Sequence, residues 1–168
     1  MSAPTLSEEK DSCSVTLSFH EVYMAATIGV ARMLASMKRG ETNKVQNKDF
    51  GWHTDIESAC AELAVAKHLG VFWDGSINTF KAPDIGRNIQ VRHTQHKNGC
   101  LILRGADSPS EVYILVTGYH PKYEIRGYIK GEDGMRPEFL RDPNGKFPAW
   151  FVPQYNLISA TNLRHKNM

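Results

Sequence analysis

The chain holds 168 residues, 41% apolar and 23% charged, the balance of an ordinary globular domain large enough for one proper core. With 20 Lys and Arg against 18 Asp and Glu, the net charge of +2 rules out any argument for a nucleic-acid or membrane partner from bulk charge. No apolar run approaches the ~20 residues of a bilayer span, and the acidic start (Glu8, Glu9, Asp11) lacks the basic-then-apolar order of a secretory signal, so a cytoplasmic location and no membrane partner are expected. Cys13, Cys60 and Cys100 are odd in number and match no metal or redox spacing; Cys60 and Cys100 read as buried thiols.

Residues 1–17 mix Ser, Thr, Pro and acids without periodicity and read as a flexible N-terminal arm, able to order against a protein partner. Ser18 and Glu21 then form a capping box, followed by Val22, Ala26, Gly29, Met33 and Met37 at helical spacing and a basic last turn at Lys38-Arg39 before Gly40. The polar stretch 41–53 reads as a surface loop. Thr54 and Glu57 make a second capping box, which explains Glu57 locally and opens a helix ending near His68, ahead of Gly70. Short β-prone runs follow at 78–81, 88–94, 100–104, 112–119 and 123–129, with a last strand at 150–152; Asn98-Gly99, Ser108-Pro109 and His120-Pro121 mark turns between them. Helices first and an antiparallel-rich sheet afterwards indicate an α+β fold.

Asp84 lies at the mouth of a hairpin that turns at Gly86-Arg87, and in its second arm Ile89 and Val91 face one way while Gln90 and Arg92 face the other. Upstream, Glu62 has Ser58, Ala59, Val65 and Ala66 as its helical neighbours, so no basic side chain on its own helix pairs with it, and the apolar collar turns it toward the sheet. Two carboxylates and an amide oxygen from Gln90 form a donor set for a hard divalent cation, which would polarise a phosphodiester and activate water. Two roles are open to Arg92: clamping a phosphate, or pairing with Glu62 or Asp84 and supplying the cation itself. Lys67, Arg87, Lys97 and Arg104 are candidates for a phosphate-binding rim, and His96 for a phosphate contact or proton shuttle.

Pro83-Asp84, Gln90-Val91-Arg92 and Glu62 together resemble the PD-(D/E)XK nuclease superfamily, and the similarity to its compact phage-type members runs from about Trp52 to Pro153, including the stretches 61–70 and 150–153. Gln90 stands where that pattern has an acid and Arg92 where it has Lys, a QxR variant with one negative charge fewer. The resemblance implies a restriction-endonuclease-like core, one mixed sheet flanked by helices with an extra N-terminal helix, within a single domain over residues 18–168. It implies a phage-encoded, metal-dependent nuclease that hydrolyses DNA phosphodiester bonds. Glu62, Asp84, Gln90 and the Val91 carbonyl would hold Mg²⁺ or Mn²⁺, and Arg92 would stabilise the transition state. The QxR variant equally fits a catalytically degenerate relative that binds nucleic acid or a protein without cleavage, or a virion component.

Overall fold

Eight consecutive buried residues, 59–66, govern how the layers stack in the computed structural model, which describes residues 12–39, 48–77, 82–143 and 145–165. In chain order the elements are β1 (Cys13–Thr16), α1 (Phe19–Lys38), α2 (Lys48–Leu69), β2 (Ile89–Thr94), β3 (Leu101–Arg104), β4 (Val112–Tyr119), β5 (Lys122–Lys130), the single turn α3 (Gly131–Gly134), β6 (Leu140–Arg141) and β7 (Ala149–Val152), with short 3₁₀ turns between and after the last strands. The buried stretch belongs to α2, and a helix hidden from solvent all round has to be covered on every side. One flank is taken by α1 and the other by a mixed sheet in the order β1-β5-β4-β2.

In that sheet β2 runs parallel to β4, while β4–β5 and β5–β1 are antiparallel. Because β4 is covered on both faces, its sequence is a near-continuous apolar run rather than an alternation. Ile114 and Val116 join the helix-side core with Ala61, Val65 and Ile89, whereas Tyr113 and Leu115 face a second core with Leu101, Leu103 and Val152. That second core is roofed by a separate sheet in the order β3-β7-β6. The fold is therefore α+β, as the residue pattern suggested, with a mixed sheet flanked by helices; the single sheet expected from the resemblance is corrected, because β3 and β7 leave the main sheet to form one of their own with β6. No helix among the described residues is long and apolar enough to cross a membrane.

The first helix keeps its cap: Ser18 Oγ accepts the Glu21 backbone N–H, and Glu21 accepts the Ser18 N–H at 2.6 Å. Three expectations are corrected. Residues 13–16, read as part of a flexible arm, form edge strand β1 against Lys122–Ile125, because pairing with β5 supplies the backbone partners and turns Val15 into the core beside Tyr123. Helix α2 begins at Lys48, so Thr54 and Glu57 lie inside it and form no cap; packing on α1 and the sheet outweighs the local signal. Cys100 is only half-buried, although Cys60 is buried as expected. The strand expected at 78–81, Gly40 and the first part of the 41–53 loop lie outside the described residues.

Close approach of the two helices depends on Gly29, where an added Cβ would fall 2.6 Å from the Ile56 Cα and 2.7 Å from the Asp55 carbonyl oxygen. Both obstacles are backbone, so neither can swing aside. Gly29→Ala should lower stability by about 1–3 kcal/mol, even though Ala is the better helix former by about 1 kcal/mol. Urea denaturation measures the change, and an unchanged or higher midpoint would contradict the crossing described.

Candidate active site

Glu62 sits in the middle of the buried stretch of α2, 5% exposed, and an ionised carboxylate there needs a countercharge. The charge comes from the other helix. Arg32 of α1 grips it with both prongs, Nη1 to Oε1 at 2.6 Å and Nη2 to Oε2 at 2.9 Å, and anchors its Nε on the Ser76 carbonyl at 2.9 Å. Trp73, in the segment after α2, donates its indole N–H to Oε2 at 3.0 Å. Burial works against the Arg32 charge, but Glu62, and beyond it Asp84 and Asp55, more than restore it.

Asp84 stands in the turn ahead of β2, where Ile85 and Ile89 exchange backbone hydrogen bonds and Gly86 takes a left-handed φ of 59°. Its Oδ2 accepts the Val91 N–H at 2.8 Å, which pins the turn to the edge of the strand. Burial, and then the neighbouring Glu62, push its carboxyl up to about 6; the Val91 hydrogen bond, Arg92 and Arg32 offset only part of this. The strand alternates as expected, with Ile89 and Val91 buried and Gln90 and Arg92 on the opposite face. Gln90 reaches back to the Ala82 carbonyl at 3.5 Å, which keeps its amide beside the Asp84 turn. Among the described residues no group of three His, Cys, Asp or Glu side chains is arranged to hold a metal ion. Oxygen donors beyond the two carboxylates would therefore be the Gln90 amide and the Val91 carbonyl.

Arg92 pairs with neither Glu62 nor Asp84. Its Nη2 donates to Asp107 at 2.8 Å, its guanidinium lies 5.1 Å from the centre of the Tyr113 ring, and its Nη1 is 3.5 Å from the Val91 carbonyl oxygen. Asp107 in turn accepts the Arg104 backbone N–H at 2.8 Å. The rim candidates separate. Lys67 is engaged in tying α2 to the Thr16 carbonyl (3.0 Å) and to Glu21 (2.8 Å), whereas Arg87, His96 and Lys97 are exposed, Arg87 in the Asp84 turn and the other two beyond β2.

Sequence reasoning missed Arg32, Trp73 and Asp107, and it misread Glu57. That residue is 1% exposed and forms a second buried polar cluster: the Tyr123 hydroxyl donates to it at 2.6 Å, the His120 backbone N–H at 3.1 Å, and the His120 ring through Nδ1. Burial and then Glu57 push the Tyr123 phenol up, so its proton stays available for donation. The turn at His120-Pro121, whose peptide bond is cis, is thereby fastened to α2. Comparison with family models, with curated proteins and with solved structures finds no match to this chain, so any functional reading rests on the geometry of these residues.

Two outcomes test the electrostatics. Arg32→Ala would strand the Glu62 charge in the interior and should cost about 3–5 kcal/mol in a urea titration; a loss below ~1 kcal/mol would mean that the pair is not buried. For Asp84 the sign follows from its raised carboxyl. The folded protein keeps this proton to about pH 6, whereas the ordinary value is 3.8, so stability falls as pH rises through that window and the deficit is complete above it. Without added cation, Asp84→Asn should therefore be more stable than the parent at pH 7 by about 1–3 kcal/mol and equal to it near pH 4. A variant less stable at pH 7 would refute the assignment.

Proposed function

We propose that this protein is a divalent-cation-dependent nuclease hydrolysing DNA phosphodiester bonds, with Asp84 as its principal metal ligand. One observation carries the reading: two acidic side chains from separate elements, Glu62 of α2 and Asp84 ahead of β2, come together in a poorly solvated place, and Glu62 raises the Asp84 carboxyl despite two nearby arginines. Carboxylates crowded in this way favour a cation between or beside them. The donor set fits Mg²⁺ or Mn²⁺ at Asp84, with neutral oxygens from Gln90 and Val91; it fits less well at Glu62, whose oxygens already receive Arg32 and Trp73. Asp84, with the Gln90 and Val91 oxygens, would hold the ion, whose chemistry there would be activation of a water and neutralisation of a phosphate oxygen.

The chain's own residues account for the rest. A guanidinium is a planar cation and a poor base, so the role of Arg92 is that of a phosphate clamp. Asp107 and the Tyr113 ring fix the plane of its guanidinium, which limits the freedom lost when a phosphate docks. Glu62, held by Arg32, serves as a fixed negative charge behind Asp84. The restriction-endonuclease-like core and a phage source belong to this same proposal.

One observation favours a second reading, a nuclease-fold protein that binds nucleic acid without cutting it. Arg32 already gives Glu62 a cation, and Arg92 is already neutralised by Asp107. Incubation with linear and circular DNA in Mn²⁺, Mg²⁺ or EDTA separates the two. The nuclease should cut only with a cation and lose cutting in Asp84→Ala. Intact DNA under every condition, with the protein folded, would overturn catalysis, and cutting that survives in EDTA or in Asp84→Ala would overturn the assigned site.

A further inference from the structure

The outer edge of β2 and the outer edge of β3 belong to different sheets. Where the connection between them bends through His96 and Gly99, they leave an open cleft of about 750 Å³. Along β3, Ile102 and Arg104 share the face opposite the buried Leu101 and Leu103, and Phe151 of β7 is paired directly across from Ile102. The other wall is Val91–Thr94 of β2, so one wall of the cleft contains both the strand on which Asp84 hangs and the Arg92 guanidinium.

The lining has a definite character. It includes Arg92, Arg104 and His96 and contains no Asp or Glu, in a chain whose positive and negative residues are nearly equal in number. The Arg104 guanidinium is exposed and has no carboxylate partner among the described residues, whereas Arg92 shares one prong with Asp107. His93 takes no part, since its Nε2–H donates to the Gly118 carbonyl at 2.7 Å. Beside Arg104, on the same face of its sheet, Ile102 and Phe151 form an apolar pair that also lines the cleft. Cations beside a flat apolar surface suit a ligand that alternates phosphate with exposed ring faces. A duplex hides those faces in its own stack, so the platform is useful only to unpaired nucleotides.

We infer that the cleft between β2 and β3 binds an unpaired nucleic-acid strand, with phosphates on Arg104, His96 and Arg92 and a base against Phe151 and Ile102. The strand then runs past Arg92 toward Asp84. This deepens the nuclease reading by assigning its substrate, and through Arg92 it rests on that reading; binding, however, requires no cleavage and is measured without it.

Fluorescence anisotropy with a labelled oligothymidylate and a labelled hairpin duplex of equal length, in EDTA, tests the inference. The strand should bind at least about tenfold more tightly than the duplex. Arg104→Glu should weaken strand binding by about tenfold or more, and Arg104→Ala should reduce the salt slope by about one. Phe151→Ala should lower strand affinity by about fivefold or more. The same charge reversal at Arg136, outside the cleft, should change it less than about twofold. Equal affinity for the duplex, or an Arg104→Glu effect no larger than that at Arg136, would overturn the inference. The two readings fail separately: strand binding in EDTA without cutting in Mn²⁺ removes the nuclease alone, and cation-dependent cutting by a protein that ignores the strand removes the cleft alone.

Discussion

The bidentate pair between Arg32 and Glu62 is the constraint on which most of the structure depends. Taking both charges out of water costs several kcal/mol per ion, and only good geometry with further hydrogen bonds offsets it. The protein supplies both. Three segments meet at this pair: α1 brings the guanidinium, α2 the carboxylate, and the segment after α2 brings the Trp73 indole and the Ser76 carbonyl. The helix that resembles an addition to the core is therefore part of its electrostatics, and the Gly29 crossing that lets the helices close sits one turn away on α1.

A second layer of order builds on the first. With Glu62 immobilised, Asp84 experiences a fixed negative charge, while its only described hydrogen-bond donor is the backbone of Val91. The position of that backbone is set by the parallel pairing of β2 with β4, Val91 opposite Ile114 and Arg92 opposite Leu115. Since β4 is buried on both faces, the register of β2 cannot slip without turning Ile89 and Val91 out of the core. The same register directs Arg92 toward Tyr113 and Asp107. Candidate chemistry and core packing thus share one strand, and the opposite end of the sheet is secured independently by Glu57, Tyr123 and His120.

What could be read from the residues alone follows the range of the forces involved. The Ser18–Glu21 cap, the alternation of 89–92 and the apolar run of β4 are local patterns, and all three are present. The apolar collar around Glu62 correctly signalled burial, because helical neighbours three and four residues away are visible in sequence. Its partner was not legible: Arg32 is thirty positions upstream on another helix, and nothing in its own neighbourhood distinguishes it from a surface arginine. Glu57 failed for the converse reason, since a capping motif offered a sufficient local explanation and its real partners, His120 and Tyr123, lie more than sixty residues downstream. β1 was missed because four residues of mixed polarity acquire strand character only from β5 beside them.

A countercharge built into the chain differs from one borrowed from the solution. Arg32 is tethered on a neighbouring helix, so its presence at Glu62 is set by the fold and not by the concentration of any dissolved ion or chelator. Glu62 is consequently insulated from the medium. Asp84, which has an amide proton but no ion pair of its own among the described residues, is the member of the pair whose charge is left to vary with pH. The two carboxylates divide the labour of a charged interior, one devoted to holding the architecture and the other free to register what the solution contains.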